Sequence, residues 1–343
     1  MNNNWLTPIY FKDFKCKADK CRHTCCNGWK IPISLDEYNR LVGMDCSKDL
    51  HDKLEVAFED PKDKSPEKYK YISYNWLGEC PLQENGLCMI HAKLGEEKLP
   101  NICRLYPRSY KTINDSYVAV CSSSCEGVVE RLYELDQLTF TEIKMDIKPQ
   151  IEYSLDVDAI EEIKKYNKLL ADRNTTLLDS LIEICTQINE SDFIKDYNNS
   201  INPLPLALKV LQRFTNSNRY LNNIIECIDE RYKDNADLYL KDTIDFENRF
   251  PNWMHFFENV LNNSMLYNNF PFVDNRFDIS FAYKGLCVSY GLLRFVSIGY
   301  TANHNSKEDL IDCVSELFHL IDHSAFYYNV KVACDNPAIF LKL

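Results

Sequence analysis

The chain has 343 residues, 45% of them hydrophobic, with only nine glycines and a formal net charge of −12. Such a composition excludes a disordered or collagen-like chain, allows two domains with cores of ordinary size, and makes nucleic acid a poor partner. Residues 136–343 carry −11 of that charge, which suits a lysine-bearing or otherwise cationic partner and equally serves solubility.

From the start, Met1 to Phe14 lacks a basic cap followed by an apolar stretch, and no run in the chain approaches the roughly 20 apolar residues that cross a bilayer. The expectation is a cytoplasmic protein without a membrane span. Fifteen cysteines in a reducing compartment favour metal ligation or catalysis over a disulfide scaffold.

Nine of these cysteines form a ladder: Cys16-x4-Cys21-x3-Cys25-Cys26, Cys80-Pro81-x6-Cys88-x2-His91, Cys103-Arg104-x-Tyr106-Pro107-Arg108 and Cys121-x3-Cys125. Short spacings close small chelate loops at low entropic cost. Thiolates suit zinc or iron–sulfur clusters. The adjacent pair Cys25-Cys26 is not a zinc-knuckle habit, and clusters draw their four cysteines from varied spacings. An iron–sulfur site is therefore preferred, with zinc as the alternative metal. Asp45–Lys70 reads as an insertion with a helical pattern around Leu50, Leu54 and Phe58, and Cys46 within it reads as an ordinary residue.

Near residue 140 the composition changes from short elements with glycine turns to long amphipathic segments. The expected fold class is mainly α. Residues 1–140 form a cysteine-rich metal or iron–sulfur domain with few short strands, and residues 141–343 a helical bundle or array. Helices are predicted over Asp158–Arg173, Thr175–Asn189, Pro203–Thr215, Asn218–Tyr232, Asn252–Asn268, Ile279–Tyr300 and Glu308–His323, then a short tail segment. Asp274–Asp278 reads as a loop. Cys185, Cys227, Cys287, Cys313 and Cys334 stand on apolar faces and read as core residues. His319-x3-His323 has metal-ligand spacing but lacks the intervening glutamate of zinc hydrolases, and reads as surface histidines.

Several of these motifs resemble a known family. Cys21-x3-Cys25-Cys26-x-Gly28-Trp29-Lys30-Ile31, Gly78-x-Cys80-Pro81, Leu87-Cys88-x-Ile90-His91, Leu94-Gly95 and Cys103-Arg104-x-Tyr106-Pro107-Arg108 are similar to the flagellin lysine-N-methylases. A weaker likeness links them to small cysteine-rich zinc- or iron-chelating domains. Downstream, Glu258-Asn259-x-Leu261-Asn262-Asn263, Asn269-Phe270-Pro271-Phe272 and Tyr290-x-Leu292-Leu293-Arg294 resemble the methylases alone. The likeness leaves residues 140–245 uncovered.

That resemblance implies methyl transfer from S-adenosylmethionine to lysine side chains of flagellin, in an enzyme holding a [4Fe-4S] cluster. The positions that match the family's cysteines are Cys16, Cys21, Cys25, Cys26, Cys80, Cys88, Cys103 and Cys125, with Cys121 an extra. Eight thiolates fill two four-ligand sites, or one site with spare thiols.

Lysine attacks only when neutral, and with a reference pKa of about 10.4 less than roughly one in a thousand is neutral at pH 7. A base or a desolvating site must take the proton. A lone-pair attack on a sulfonium methyl needs no radical. No Gly-x-Gly follows a strand, so a Rossmann-type donor site is not expected. The matching helical residues supply candidates instead. Glu258 is placed to accept the lysine ammonium, with Asn259 and Asn262 orienting donor or substrate. Tyr290 lies four residues before Arg294, which is placed to clamp the donor's carboxylate. A buried structural network is the competing reading of the same stripe. The rival functions are a zinc- or iron-storing protein and a bare electron carrier.

Overall fold

The computed structural model describes the chain except residues 1–2, 27–29, 76–77, 85, 156–157, 190–192, 194–196, 198–201, 214–218, 274–277 and 335. It falls into two compact units. One comprises Cys16–Tyr106 with Asn216–Arg219; the other comprises Met1–Lys15, Pro107–Thr215 and Tyr220–Leu343. The boundary at Tyr106 falls inside the stretch read from sequence as 1–140.

The larger unit combines a five-stranded sheet with helices. Sheet order is Ile151–Tyr153, Arg108–Ile113, Ser116–Cys121, Asn3–Pro8, Phe140–Met145. Arg108–Ile113 and Ser116–Cys121 form a hairpin in which Ile113 faces Ser116, and Asn114 takes the positive φ of +53° that so tight a turn favours. Asn3–Pro8 then adds parallel to Ser116–Cys121 and antiparallel to Phe140–Met145. Trp5 is fully buried on this interior strand, edge-on to Tyr110 at 5.6 Å. The protein is mainly helical with short strands, as the sequence led us to expect. That five strands join into one sheet is not visible in local periodicity, because their partners lie up to 140 residues away.

The helices of this unit begin and end within a few residues of the predicted spans: Ala159–Leu170, Leu177–Gln187, Leu204–Gln212, Arg219–Tyr232, Trp253–Tyr267, Ile279–Thr301 and Lys307–His323, followed by Phe326–Ala333. Thr176 and Ser306 close capping boxes with Asp179 and Asp309. One further helix, Leu238–Arg249, carries few apolar residues and has no clear amphipathic run in the sequence. It buries only Tyr239, Asp242 and Phe246, and Asp242 is held by Arg231 and Tyr232. The predicted loop Asp274–Asp278 lies mostly outside the described residues.

Ile279–Thr301 is the axis of the unit and is buried on nearly all sides. It packs against Leu238–Arg249, Lys307–His323, Phe326–Ala333 and the tail Pro337–Lys342. A Cβ at Gly291 would overlap the Phe340 carbonyl, so the tail can lie on the axis only because that position has no side chain. Cys185, Cys287, Cys313 and Cys334 are buried, as read from sequence. His319 and His323 are not surface residues: His319 is 7% exposed and His323 half-buried, because their helix turns them inward. Among the described residues, no helix is long and apolar enough to cross a membrane.

The smaller unit has short helices and two small sheets around a core of Ile31, Ile33, Leu41, Leu50, Leu54, Ile72, Leu82, Met89 and Ile90. Cys46 packs against that core, in keeping with its reading as an ordinary residue.

Candidate functional sites

Three places in the fold concentrate reactive side chains. In the smaller unit, Cys26, Cys80, Cys88 and Cys103 converge on the core, Cys80 fully buried and the others partly so. Local chemistry delivers each one. Gly78 and Gly86 take φ of +77° and +80°, turning the chain on either side of Cys80 and into the hairpin that ends at Cys88. Cys88 begins the helix Met89–Leu94, which Gly95 terminates at φ +94°. Cys103 lies in Asn101–Leu105, whose first N–H, on Asn101, donates to Glu37 Oε1 at 2.7 Å. Glu37 is itself the capping-box partner of Ser34.

Cys80, Cys88 and Cys103 each feel Cys26. Burial pushes Cys80 up to about 12, and Cys26 and Cys88 add to the rise. Burial raises Cys88, with Cys26 adding to it. Cys103 is driven well up by burial and then by Cys26, Cys88 and Cys80. Cys26 alone is lowered, to about 7, chiefly by a hydrogen bond from Cys25. Four sulfurs gathered on one apolar core, which as anions would repel one another, fit a cationic inorganic core that would reverse the sign of their environment. Among the described residues, only His51, Asp52 and Glu55 have ligand atoms mutually within 4.8 Å, so no three of these sulfurs are that close.

Of the other sequence candidates, Cys25 is exposed and hydrogen-bonded with Cys26 beside this group, and Cys16 and Cys21 are in the same unit, Cys16 exposed. Cys125 is in the larger unit, beginning the helix Glu126–Glu134. None of the fifteen cysteines is in a disulfide.

The second place is the asparagine-rich helix Trp253–Tyr267. The Asn259 amide donates to Leu132 O and Leu135 O and accepts from Leu138 N, at 2.7–3.0 Å, which fastens the helix to the segment after Glu126–Glu134. Glu258 is paired with Arg173 at 2.9 Å; burial raises its carboxyl and Arg173 opposes the rise. Asn262 is buried, and its Oδ1 has no hydrogen-bond partner among the described residues. Tyr290 and Arg294 line a cavity of about 440 Å³ together with Trp253, Tyr197 and Lys342. Arg294 lies over the Trp253 ring at 4.1 Å and donates to Glu247 and Leu343 O. The structure thus brings Tyr290 and Arg294 together and leaves Glu258 with Arg173.

At the far end of the same helix is a network that the sequence reading missed. Ser122 Oγ donates to Asp322 Oδ2 at 2.6 Å, and Ser123 N–H and Asn268 Nδ2 donate to the same carboxylate at 3.2 Å. Ser122 and Ser124 hydroxyls are 2.7 Å apart, and Ser124 Oγ is 2.8 Å from His323 Nε2. An ionised carboxylate only accepts, so the one consistent direction runs from the His323 N–H through Ser124 and Ser122 to Asp322. Asn263 anchors the loop by donating to Cys121 O and Ser123 Oγ and accepting from Tyr10. Burial raises the Asp322 carboxyl to about 6 against four hydrogen bonds that lower it. Burial likewise lowers His319 to about 4 and His323 to about 3, so both rings are neutral at pH 7. The signal available in sequence was the run Cys121-Ser122-Ser123-Ser124-Cys125, placed between a strand and a helix.

Comparison with known proteins follows the same lines. Residues 149–331, more than half of the chain, match the FliB lysine N-methylase C-terminal domain family. A lysine-N-methylase of Salmonella choleraesuis (strain SC-B67) is 27% identical over 134 residues, covering 36% of this chain and 31% of that protein. The corresponding protein of Salmonella typhimurium (strain LT2) is 28% identical over 130 residues, with the same coverage. The flagellar biosynthetic protein FliU of Salmonella muenchen is 27% identical over 130 residues, covering 36% of this chain and 74% of its own. The chain therefore spans about a third of the length of the lysine-N-methylases it matches. No solved structure matches. With that domain matched across most of its larger unit, this chain belongs to the FliB lysine N-methylase family.

Proposed function

We propose that this protein transfers methyl groups from S-adenosylmethionine to lysine side chains, and that flagellin is the protein substrate. The observation that carries the reading is the match of residues 149–331 to a lysine N-methylase domain. The acidic surface of that part of the chain favours a cationic substrate. Flagellin as substrate is supported by the motif resemblance and by the flagellar name of one relative.

The chemistry asks little of the protein beyond position and proton removal. The neutral amine attacks the sulfonium methyl carbon in line, so the site must desolvate the ammonium, take its proton and hold two reactants in contact.

Cys26, Cys80, Cys88 and Cys103 are the residues that would hold a [4Fe-4S] cluster, which takes four cysteine ligands drawn from varied spacings. Bound there, the cluster would supply a positive centre that neutralises four thiolates and ties their loops together. Transfer by lone-pair attack gives it no obligatory redox role.

The test is co-expression with flagellin followed by intact-mass measurement. Increments of one methylene on flagellin, absent without S-adenosylmethionine, are the expected result. Unmodified flagellin alongside iron-loaded protein would remove this function.

A further inference from the structure

We propose that Asp322 receives the ammonium group of the substrate lysine and takes one of its protons, while Ser122, Ser124 and His323 hold its carboxylate for that task. This rests on the lysine-methylation reading and adds to it the residue that meets the acceptor.

Asp322 differs from two buried acids of the larger unit. Asp242 and Glu258 each have an arginine within 3 Å. Among the described residues, Asp322 has no ion pair at all; its ligands are hydroxyls, an amide and a backbone N–H. Lys111 is near enough to be felt, but its ammonium donates at 2.8 Å to Leu266 O and Tyr267 O instead. A half-buried carboxylate satisfied by neutral donors alone is a costly arrangement that an incoming cation relieves.

The surroundings suit an alkylammonium. Ser122, Ser123 and Asn263 are buried, whereas Asp322, His323, Tyr267 and Asn268 are half-buried and the neighbouring Ser324 is exposed. Tyr267 stands edge-on to His323 at 6.2 Å and offers a ring to the lysine stem. His319, 5.3 Å ring to ring from His323, has a buried Nε2 with no hydrogen-bond partner among the described residues. A polar ligand atom is thus still wanted there.

Helix geometry sets this centre apart from the cavity at Arg294. Trp253 and Tyr267 lie at opposite ends of one helix, about 20 Å apart at 1.5 Å per residue. A nitrogen at Asp322 and a methyl donor at Arg294 cannot react. If Asp322 meets the acceptor, the sulfonium must also be presented at this end.

The step balances without any other reactant. One N–H bond of the ammonium breaks and its proton goes to Asp322. The freed lone pair forms the N–C bond to the sulfonium methyl, and the C–S pair stays on sulfur as a neutral thioether. The proton then leaves to solvent.

The test uses the full chain with its metal, and two readouts. One is methyl transfer from S-adenosylmethionine to flagellin. The other is calorimetric binding of a flagellin-derived lysine peptide against the same peptide carrying norleucine. Wild type should prefer the lysine peptide by about tenfold or more; Asp322→Asn should lose that preference and about 100-fold or more in transfer, with iron content retained. Ser122→Ala removes the hydroxyl that bonds both Asp322 and Ser124, and no charge; it should raise KM for flagellin by roughly three- to tenfold with the lysine preference reduced, and it serves if Asp322→Asn does not fold. A folded Asp322→Asn protein with unchanged preference and rate overturns the assignment and leaves the methylase reading standing. So does a Ser122→Ala protein with wild-type KM and preference where the first variant is unfolded. A wild type that prefers lysine but transfers no methyl sinks the methylase reading and keeps the site. A wild type that does neither removes both.

Discussion

Ser122 Oγ sits 2.6 Å from the carboxylate of Asp322, across 200 residues of sequence. One residue closes a strand-to-helix loop and the other ends a helix, and neither belongs to a spacing that marks a site by itself. Their meeting makes a half-buried anion held, among the described residues, by neutral donors.

That anion has a pH signature. The Asp322 carboxyl titrates near 6 in the folded protein against about 3.9 when unfolded. Between those values the folded state keeps a proton that the unfolded state has lost, so this group's contribution to stability falls as pH rises from about 4 to 6. Relative to Asp322→Asn, the wild type should lose roughly 2 kcal/mol across that window. Urea melts of both proteins at pH 4.5 and 7 check this; parallel curves would contradict it.

The four converging thiols should act as one site. Alanine at Cys26, Cys80, Cys88 or Cys103 should each abolish or sharply reduce bound iron, whereas alanine at Cys46, packed on the apolar core, should leave iron content unchanged. Iron and sulfide assays on anaerobically purified protein decide the matter. Stoichiometric zinc in place of iron would overturn the cluster.

Asn259 behaves as a fastener in this fold. Its amide satisfies three backbone groups of the segment Leu132–Leu138. Asn259→Ala leaves them without partners and should cost about 2–4 kcal/mol. Denaturant midpoints should fall accordingly, and an unchanged midpoint would free this residue for a role at substrate.

The Glu258–Arg173 pair should respond unequally to loss of either member. Glu258 is the buried partner, at 6% side-chain exposure against 25% for Arg173. Arg173→Ala strands a buried carboxylate and should destabilise by about 2–3 kcal/mol, while Glu258→Gln leaves a cation with access to water and should cost about 1 kcal/mol. Thermal melts give the order, and equal losses would count against it.

How far the sequence reached can be told residue by residue. The helices from Ala159 to His323 follow from apolar spacing and from caps such as Thr176 and Ser306, which are local signals. Cysteine spacing pointed to thiols that meet, because chelate loops are short. The helix Leu238–Arg249 escaped notice, since it buries a charged Asp242 rather than an apolar stripe. His319 and His323 read as surface residues because nothing within four positions of them reveals an inward turn.

By itself the chain determined its helical content, its run of thiols and its likeness to lysine methylases, all written in short-range patterns of polarity and chemistry. Only the tertiary structure decided that Cys26, Cys80, Cys88 and Cys103 share one core, that Glu258 belongs to Arg173, and that Ser122, His323 and Asp322 form one hydrogen-bonded chain. Those groupings depend on which distant segments exclude water together, and that follows from the packing of the whole chain.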